Sequence, residues 1–133
     1  MSFETAKIFL DKLFNDEYDF INSKNTDAIV FDFIGGEPLL EIELIEQIIK
    51  YSLNTMIRLK HPWLKYFTTS MCSNGLLYNT PKVQKFFKKY GHWWGGYSVS
   101  VDGNKELHDK CRIDCEGNPT YDIVINNVKL HNK

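Results

Sequence analysis

The residues with chemical potential in this sequence sit where apolar runs are interrupted by short polar breaks. In "FDFIGGEPLL", Gly35, Gly36, Glu37 and Pro38 fall where a strand hands over to a helix. Glycines let a ligand approach backbone amides and carbonyls, and an adjacent carboxylate supplies the counter-charge for an ammonium group. A plainer reading is a tight turn with a proline opening the next helix. A phosphate site, common at glycine-rich β-α turns, is opposed by Glu37, whose charge repels phosphate unless a metal intervenes.

Two further breaks, Ser73-Asn74-Gly75 and Ser100 to Gly103, are turn signatures first and site candidates second. "SVSVD" also places Ser98, Ser100 and Asp102 on one face of a period-two strand, a polar row that would need partners inside a core. Cys111 and Cys115 are spaced Cys-x-x-x-Cys, but Asn118 stands where a third thiolate would follow. With His108 and His131 a zinc site can be drawn, yet the spacing fits no standard zinc module. Cys72 is expected to pack as a small apolar group near a strand end. "HWWGG" invites a base-stacking reading; without a framing basic cluster, Trp93 and Trp94 read as core or interface.

The elements that must position these residues follow from periodicity. Phe3, Ala6, Phe9, Leu10 and Leu13 recur at helical spacing, with Ser2 and Thr5 as candidate caps. "AIVFDFIGG" suits a buried strand ending at Gly35, and Leu40 to about Leu59 an amphipathic helix. "KYFTTSMCSNG" reads as a second strand, and "TPKVQKFFKKYG" as a helix opened by Thr80-Pro81 and stopped by Gly91. "GGYSVSVDG" is a third strand and "NPTYDIVINNVKLH" a last helix. The order, α and then β-α three times, predicts parallel strands joined by crossover helices. Parallel sheets need both faces covered, and the first helix has no strand to cross over from, so the chain reads as the middle of a larger α/β domain.

With 133 residues, 43% hydrophobic and 25% charged, the composition is that of a globular domain. Sixteen basic and seventeen acidic side chains give a net charge of -1, with no global attraction for nucleic acid or anionic lipid. No apolar run approaches a membrane span, and an acid stands near the N-terminus where a signal peptide carries bases. An odd count of three cysteines fits a reduced compartment. The expectation is a cytoplasmic protein with no nucleic-acid or membrane partner.

"FIGGEPLL", "SNGLLYN", "SVSVDGNKELHDKCR" and "YDIVINNVKL", in this order and at these intervals, resemble the radical SAM superfamily. The likeness is strongest to the branch that matures peptides and sulfatases and carries an extra C-terminal cluster domain. It covers nearly the whole chain, including "MSFETAKIFLDKL". The resemblance implies a partial (β/α) TIM-like barrel, with residues 1–133 one incomplete core-domain segment. It further implies S-adenosylmethionine (SAM) held against a 4Fe-4S cluster and reduced to a 5′-deoxyadenosyl radical that takes hydrogen from a peptide or protein substrate.

By that resemblance, backbone groups of Gly35 and Gly36, with Glu37 and the turn made by Pro38, receive the methionine amino group. Arg112 meets its carboxylate, and Asn74, Ser100 and Asp102 contact cofactor or substrate. His108 and Asp109 match the motif too, and are expected to anchor the loop by hydrogen bonds. The family's Cys-x-x-x-Cys-x-x-Cys, which supplies the cluster ligands, is absent from this sequence. The resemblance places it before the first helix, so no metal ligand is assigned here. The expectation is a segment of a radical SAM enzyme, inactive by itself and marginally stable unless the missing barrel half or another chain covers it. The alternative is a non-catalytic barrel remnant acting in protein interaction or nucleotide binding.

Overall fold

A computed structural model describes residues 1–131; the last two positions of the expected domain, Asn132 and Lys133, lie outside the described residues. Helix α1 (Phe3–Phe14) begins where the Ser2 hydroxyl accepts the Thr5 N–H at 3.2 Å, satisfying one of the first-turn amides that no helical carbonyl can reach. Strand β1 (Ala28–Phe33) follows, then a 3₁₀ turn (Pro38–Glu41) and helix α2 (Ile42–Leu59). The apolar period therefore becomes α-helical two residues later than Leu40. Proline at the start of the 3₁₀ turn fixes φ where no backbone donor is needed.

Strand β2 (Tyr66–Ser73), helix α3 (Pro81–Tyr90), strand β3 (Trp94–Val99), helix α4 (Lys105–Cys111) and helix α5 (Tyr121–His131) complete the order. The three strands form one sheet in the order β1-β2-β3, both pairings parallel, with Asp32 opposite Ser70 and Cys72 opposite Ser98. A shift at Thr69/Ser70 bends the β2-β3 ladder.

The core lies on one face of this sheet. Ile29, Phe67, Thr69, Met71 and Ser73 alternate along β1 and β2 and are buried together with Ile45, Ile49, Leu53 and Met56 of α2 and Val83 and Phe86 of α3. Ile49 and Met56 have no exposed surface, and each such burial contributes about 1.5–3 kcal/mol. On the other face Val30, Asp32, Tyr66, Cys72 and Ser98 remain exposed. β1 is thus one-sided rather than fully buried, as a barrel strand is when its inner face has no opposing strands. Cys72, expected in an apolar setting, is exposed on that open face, with its Sγ 3.7 Å from the Ser100 Oγ.

Thr80 stands at the start of α3 and Gly91 at its end, as the sequence suggests. The Thr80 hydroxyl donates to the Leu77 carbonyl (2.8 Å), and Gly91 stays right-handed and leads into a 3₁₀ turn, Gly91–Trp93. One other expectation changes. β3 ends at Val99, so Ser98, Ser100 and Asp102 do not continue as one strand face.

Candidate functional site

All three polar breaks lie at the carboxyl ends of the parallel strands, where loops converge in α/β folds. After β1, Gly35 and Gly36 take φ of 97° and 48°, in the left-handed region that side chains disfavour. A Cβ at either would meet nothing within 4 Å, so conformation rather than crowding demands glycine there, and the turn is open to an approaching ligand. Beside it runs a cleft of ≈ 390 Å³ lined by Gly35, Gly36, Glu37 and apolar side chains of α2.

Glu37 ties the first two strand ends together. Its Oε1 accepts the Leu39 N–H (3.0 Å) and the Ser73 hydroxyl (2.7 Å), and its Oε2 accepts the Asn74 N–H (2.7 Å). The carboxylate thus caps the 3₁₀ turn and holds β2's end against β1's. Ser73 stands in the second polar break of the sequence, but a serine at a strand end gives no signal that its hydroxyl will meet a carboxylate 36 residues away.

At β2's end the Asn74 Oδ1 accepts the Leu76 N–H (3.0 Å), closing a local turn. Gly75 adopts φ 78°, and a Cβ there would lie 2.7 Å from Val99 Cγ1, so both conformation and contact exclude a side chain. The buried Asn127 of α5 donates to the Gly75 carbonyl at 2.8 Å. Its sequence signal was a polar residue beside Val124 and Val128 on an otherwise apolar helix stretch. The Ser100 N–H donates to the Ser73 carbonyl (3.0 Å), carrying the β2-β3 pairing one step past the strand.

At the third strand end, Arg112 Nε and Nη2 donate to the Asp102 carboxylate at 2.7 and 3.3 Å. The guanidinium holds the Asp102 carboxyl below its ordinary pKa, and Asp102 in turn raises Arg112. Arg112 is therefore already paired, with part of its donor fork left over. Asp109 Oδ1 accepts the Thr120 and Tyr121 N–H groups at 3.0 and 2.9 Å, capping α5, and these bonds lower its pKa. Nearby, burial pushes the Tyr97 phenol up to about 12, with the Ser73 hydroxyl acting the other way and the charges of Glu37, Tyr78 and Cys72 adding to the rise.

Hydrogen bonds thus join Gly35-Gly36-Glu37 to Ser73 and Asn74, Ser100 extends this arrangement through its backbone, and Asp102 and Arg112 form a separate pair on the third loop. Among the described residues no group of three His, Cys, Asp or Glu is arranged to hold a metal ion, and Cys72, Cys111 and Cys115 are free and exposed. These residues do not fit an iron-sulfur cluster. An open glycine turn beside a carboxylate after β1, and an arginine in the loop after β3, supply the opposite charges that a zwitterionic amino-acid moiety requires.

Over 104 residues the chain is 31% identical to a cysteine-type anaerobic sulfatase-maturating enzyme of Clostridium novyi, a match covering 77% of this chain and 25% of that relative. It is 27% identical over 133 residues to a serine-type anaerobic sulfatase-maturating enzyme of Bacteroides thetaiotaomicron, covering 100% of this chain and 28% of that one. The chain is a homologue of radical SAM sulfatase maturases. It spans about a quarter of the length of the maturases it matches. The solved structure of native anSMEcpe with bound AdoMet superposes with a TM-score of 0.70 at 24% identity, covering 99% of this chain and 32% of that one. That likeness gives the maturase homologue its fold, a segment of a TIM-like barrel. No protein-family model matches the chain. Among the described residues of this maturase homologue, no helix is long and apolar enough to cross a membrane.

Proposed function

We propose that these residues form the SAM-binding strand ends of a radical SAM enzyme that modifies a peptide or protein. The observation that carries the proposal is the Glu37 carboxylate, which binds Ser73 and Asn74 while standing beside two open, left-handed glycines. In this reading the backbone of Gly35 and Gly36 faces the methionine ammonium and Glu37 supplies the neutralising charge at close range. Pro38 fixes where the next turn starts. Arg112 offers its spare donors to the methionine carboxylate, and Asp102 keeps the guanidinium in place. Asn74 and Ser100 border the cofactor.

A 4Fe-4S cluster held by residues outside this segment would supply the one electron that cleaves SAM into methionine and a hydrogen-abstracting 5′-deoxyadenosyl radical; the residues here would bind and orient the methionine moiety. The thiolates for that cluster must come from sequence outside these 133 residues, so the chain by itself is inactive. The relatives' names, sulfatase-maturating enzymes, favour a protein substrate. Its identity rests on the strands, loops and domains that the remaining three quarters of such a relative comprises.

The test is anaerobic reconstitution with iron and sulfide, followed by assay of 5′-deoxyadenosine released from SAM. The 133-residue chain is expected to release none, and a form joined to a Cys-x-x-x-Cys-x-x-Cys segment in its own reading frame to release it. Release by the 133-residue chain would contradict the inactivity and implicate Cys111 and Cys115. Silence from both forms, each folded, would favour a non-catalytic remnant.

A further inference from the structure

The third strand end holds a closed chain of hydrogen bonds that the SAM-site reading does not use. His108, in α4, has no exposed surface, and Thr120, just before α5, is 2% exposed. His108 Nδ1 accepts the Asp102 N–H at 3.3 Å, so the ring proton belongs on Nε2, which lies 3.0 Å from the Thr120 Oγ1. Thr120 must then accept from the ring, and its own proton goes to the Arg112 carbonyl at 2.8 Å. The Arg112 N–H closes the circuit on the His108 carbonyl at 2.7 Å. Every donor in the circuit has one acceptor, and the two residues of the exposed ion pair are each gripped by the backbone from beneath.

That arrangement exceeds what loop anchoring requires. The Asp102–Arg112 pair is about two-fifths exposed on each side, and such pairs hold geometry weakly, because two long side chains lose entropy in water for little Coulomb gain. Here the flexible part is reduced to the side chains alone, since both backbones are fixed through one buried imidazole and one buried hydroxyl.

We propose that His108 and Thr120 are positioning residues that set the Asp102–Arg112 pair, and through it the end of the site that takes the methionine carboxylate. This rests on the SAM-site reading above. Neither residue touches the cofactor; each acts through the backbone it holds.

The experiment uses the isotope-labelled 133-residue chain and two variants, Thr120→Val, which keeps shape but removes the hydroxyl, and Thr120→Ser, which restores it. Three signals are read: the His108 ring nitrogens, solvent exchange of the Arg112 Nε–H without ligand, and SAM affinity by titration. The wild type is expected to show a neutral ring with its proton on Nε2. Thr120→Val is expected to speed Arg112 Nε–H exchange and to weaken SAM binding, each by about tenfold, the loss of one net hydrogen bond. Thr120→Ser should recover both.

A folded Thr120→Val with wild-type exchange and affinity would overturn the proposal. So would a wild-type His108 ring protonated on Nδ1, which decides the matter should Thr120→Val not fold. A wild type that binds no SAM would sink the SAM-site reading, while the ligand-free Arg112 signal would still decide whether His108 and Thr120 position the pair.

Discussion

Glu37 accepts three donors, two of them backbone amides, and thereby ties the ends of β1 and β2 together. Replacing it by Gln turns one acceptor into a donor, which then faces either the Asn74 N–H or the Leu39 N–H. Glu37→Gln should therefore cost about 1–3 kcal/mol of stability in urea unfolding. It should also lose SAM binding, whereas a purely ligand-facing Glu37 would leave the unfolding midpoint unmoved.

His61 carries a second residue-scale prediction. Its ring packs against Phe14 and Trp63, its Nδ1 accepts the Trp63 N–H, and its Nε2 is buried without a partner. Burial lowers its pKa, with the Asp16 carboxylate partly opposing. A base whose folded pKa is depressed stays neutral in the folded chain while the unfolded chain takes up a proton. Its contribution is complete above the unfolded value and is lost as pH falls through the folded one. Unfolding midpoints should thus drop between about pH 7 and pH 5.5, and His61→Gln should flatten that drop. A wild-type midpoint constant over this range would contradict the account.

The glycines, Glu37 and the strand-end loops were legible because each leaves a local mark: φ-tolerant residues, a proline, an acid inside an apolar run. The partners of Ser73, Thr120 and Asn127 were not, since a hydroxyl or amide shows its partner only once chain segments 36, 8 and 52 residues apart are brought together.

At the scale of elements, α1, α2, α3 and α5 and all three strands were readable from apolar period and turn residues. Helix α4 was not. Its sequence, KELHDKC, has Leu107 exposed and only His108 buried, so no apolar stripe announces it. It forms because the Asn104 Oδ1 accepts the Leu107 N–H at 3.0 Å and because the His108 circuit rewards the helical turn. Asn104→Ala should therefore cost about 1 kcal/mol. It should raise amide exchange at Leu107 and His108 while leaving α2 protected; uniform loss of protection would show that α4 is not a separate unit. The one-sided burial of β1 was equally hidden, because an apolar run reads alike whether its second face meets helices or the interior of a barrel.

Among the described residues the chain is a sheet with helices packed on one face and with the outer edges of β1 and β3 unpaired. Val30 (57%) and Ile34 (70%) are exposed on or next to β1, and an apolar groove of ≈ 340 Å³ between α1 and β1's edge is lined by Phe9, Leu13, Phe20 and Phe31. Unpaired edges and bare apolar surface promote association. The isolated chain is expected to self-associate with rising concentration in sedimentation velocity, and Val30→Lys to shift it towards monomer without lowering its melting temperature. A stable monomer at all concentrations would contradict this.

The central claim, that the carboxyl ends of the three strands hold SAM, is tested most directly by following backbone amide signals of the 133-residue chain during titration with SAM. The account predicts saturable shifts confined to residues 34–38, 74–75 and 100–103 and to Arg112, absent in Glu37→Gln. Shifts elsewhere, or none at saturating SAM with the fold intact, would contradict it.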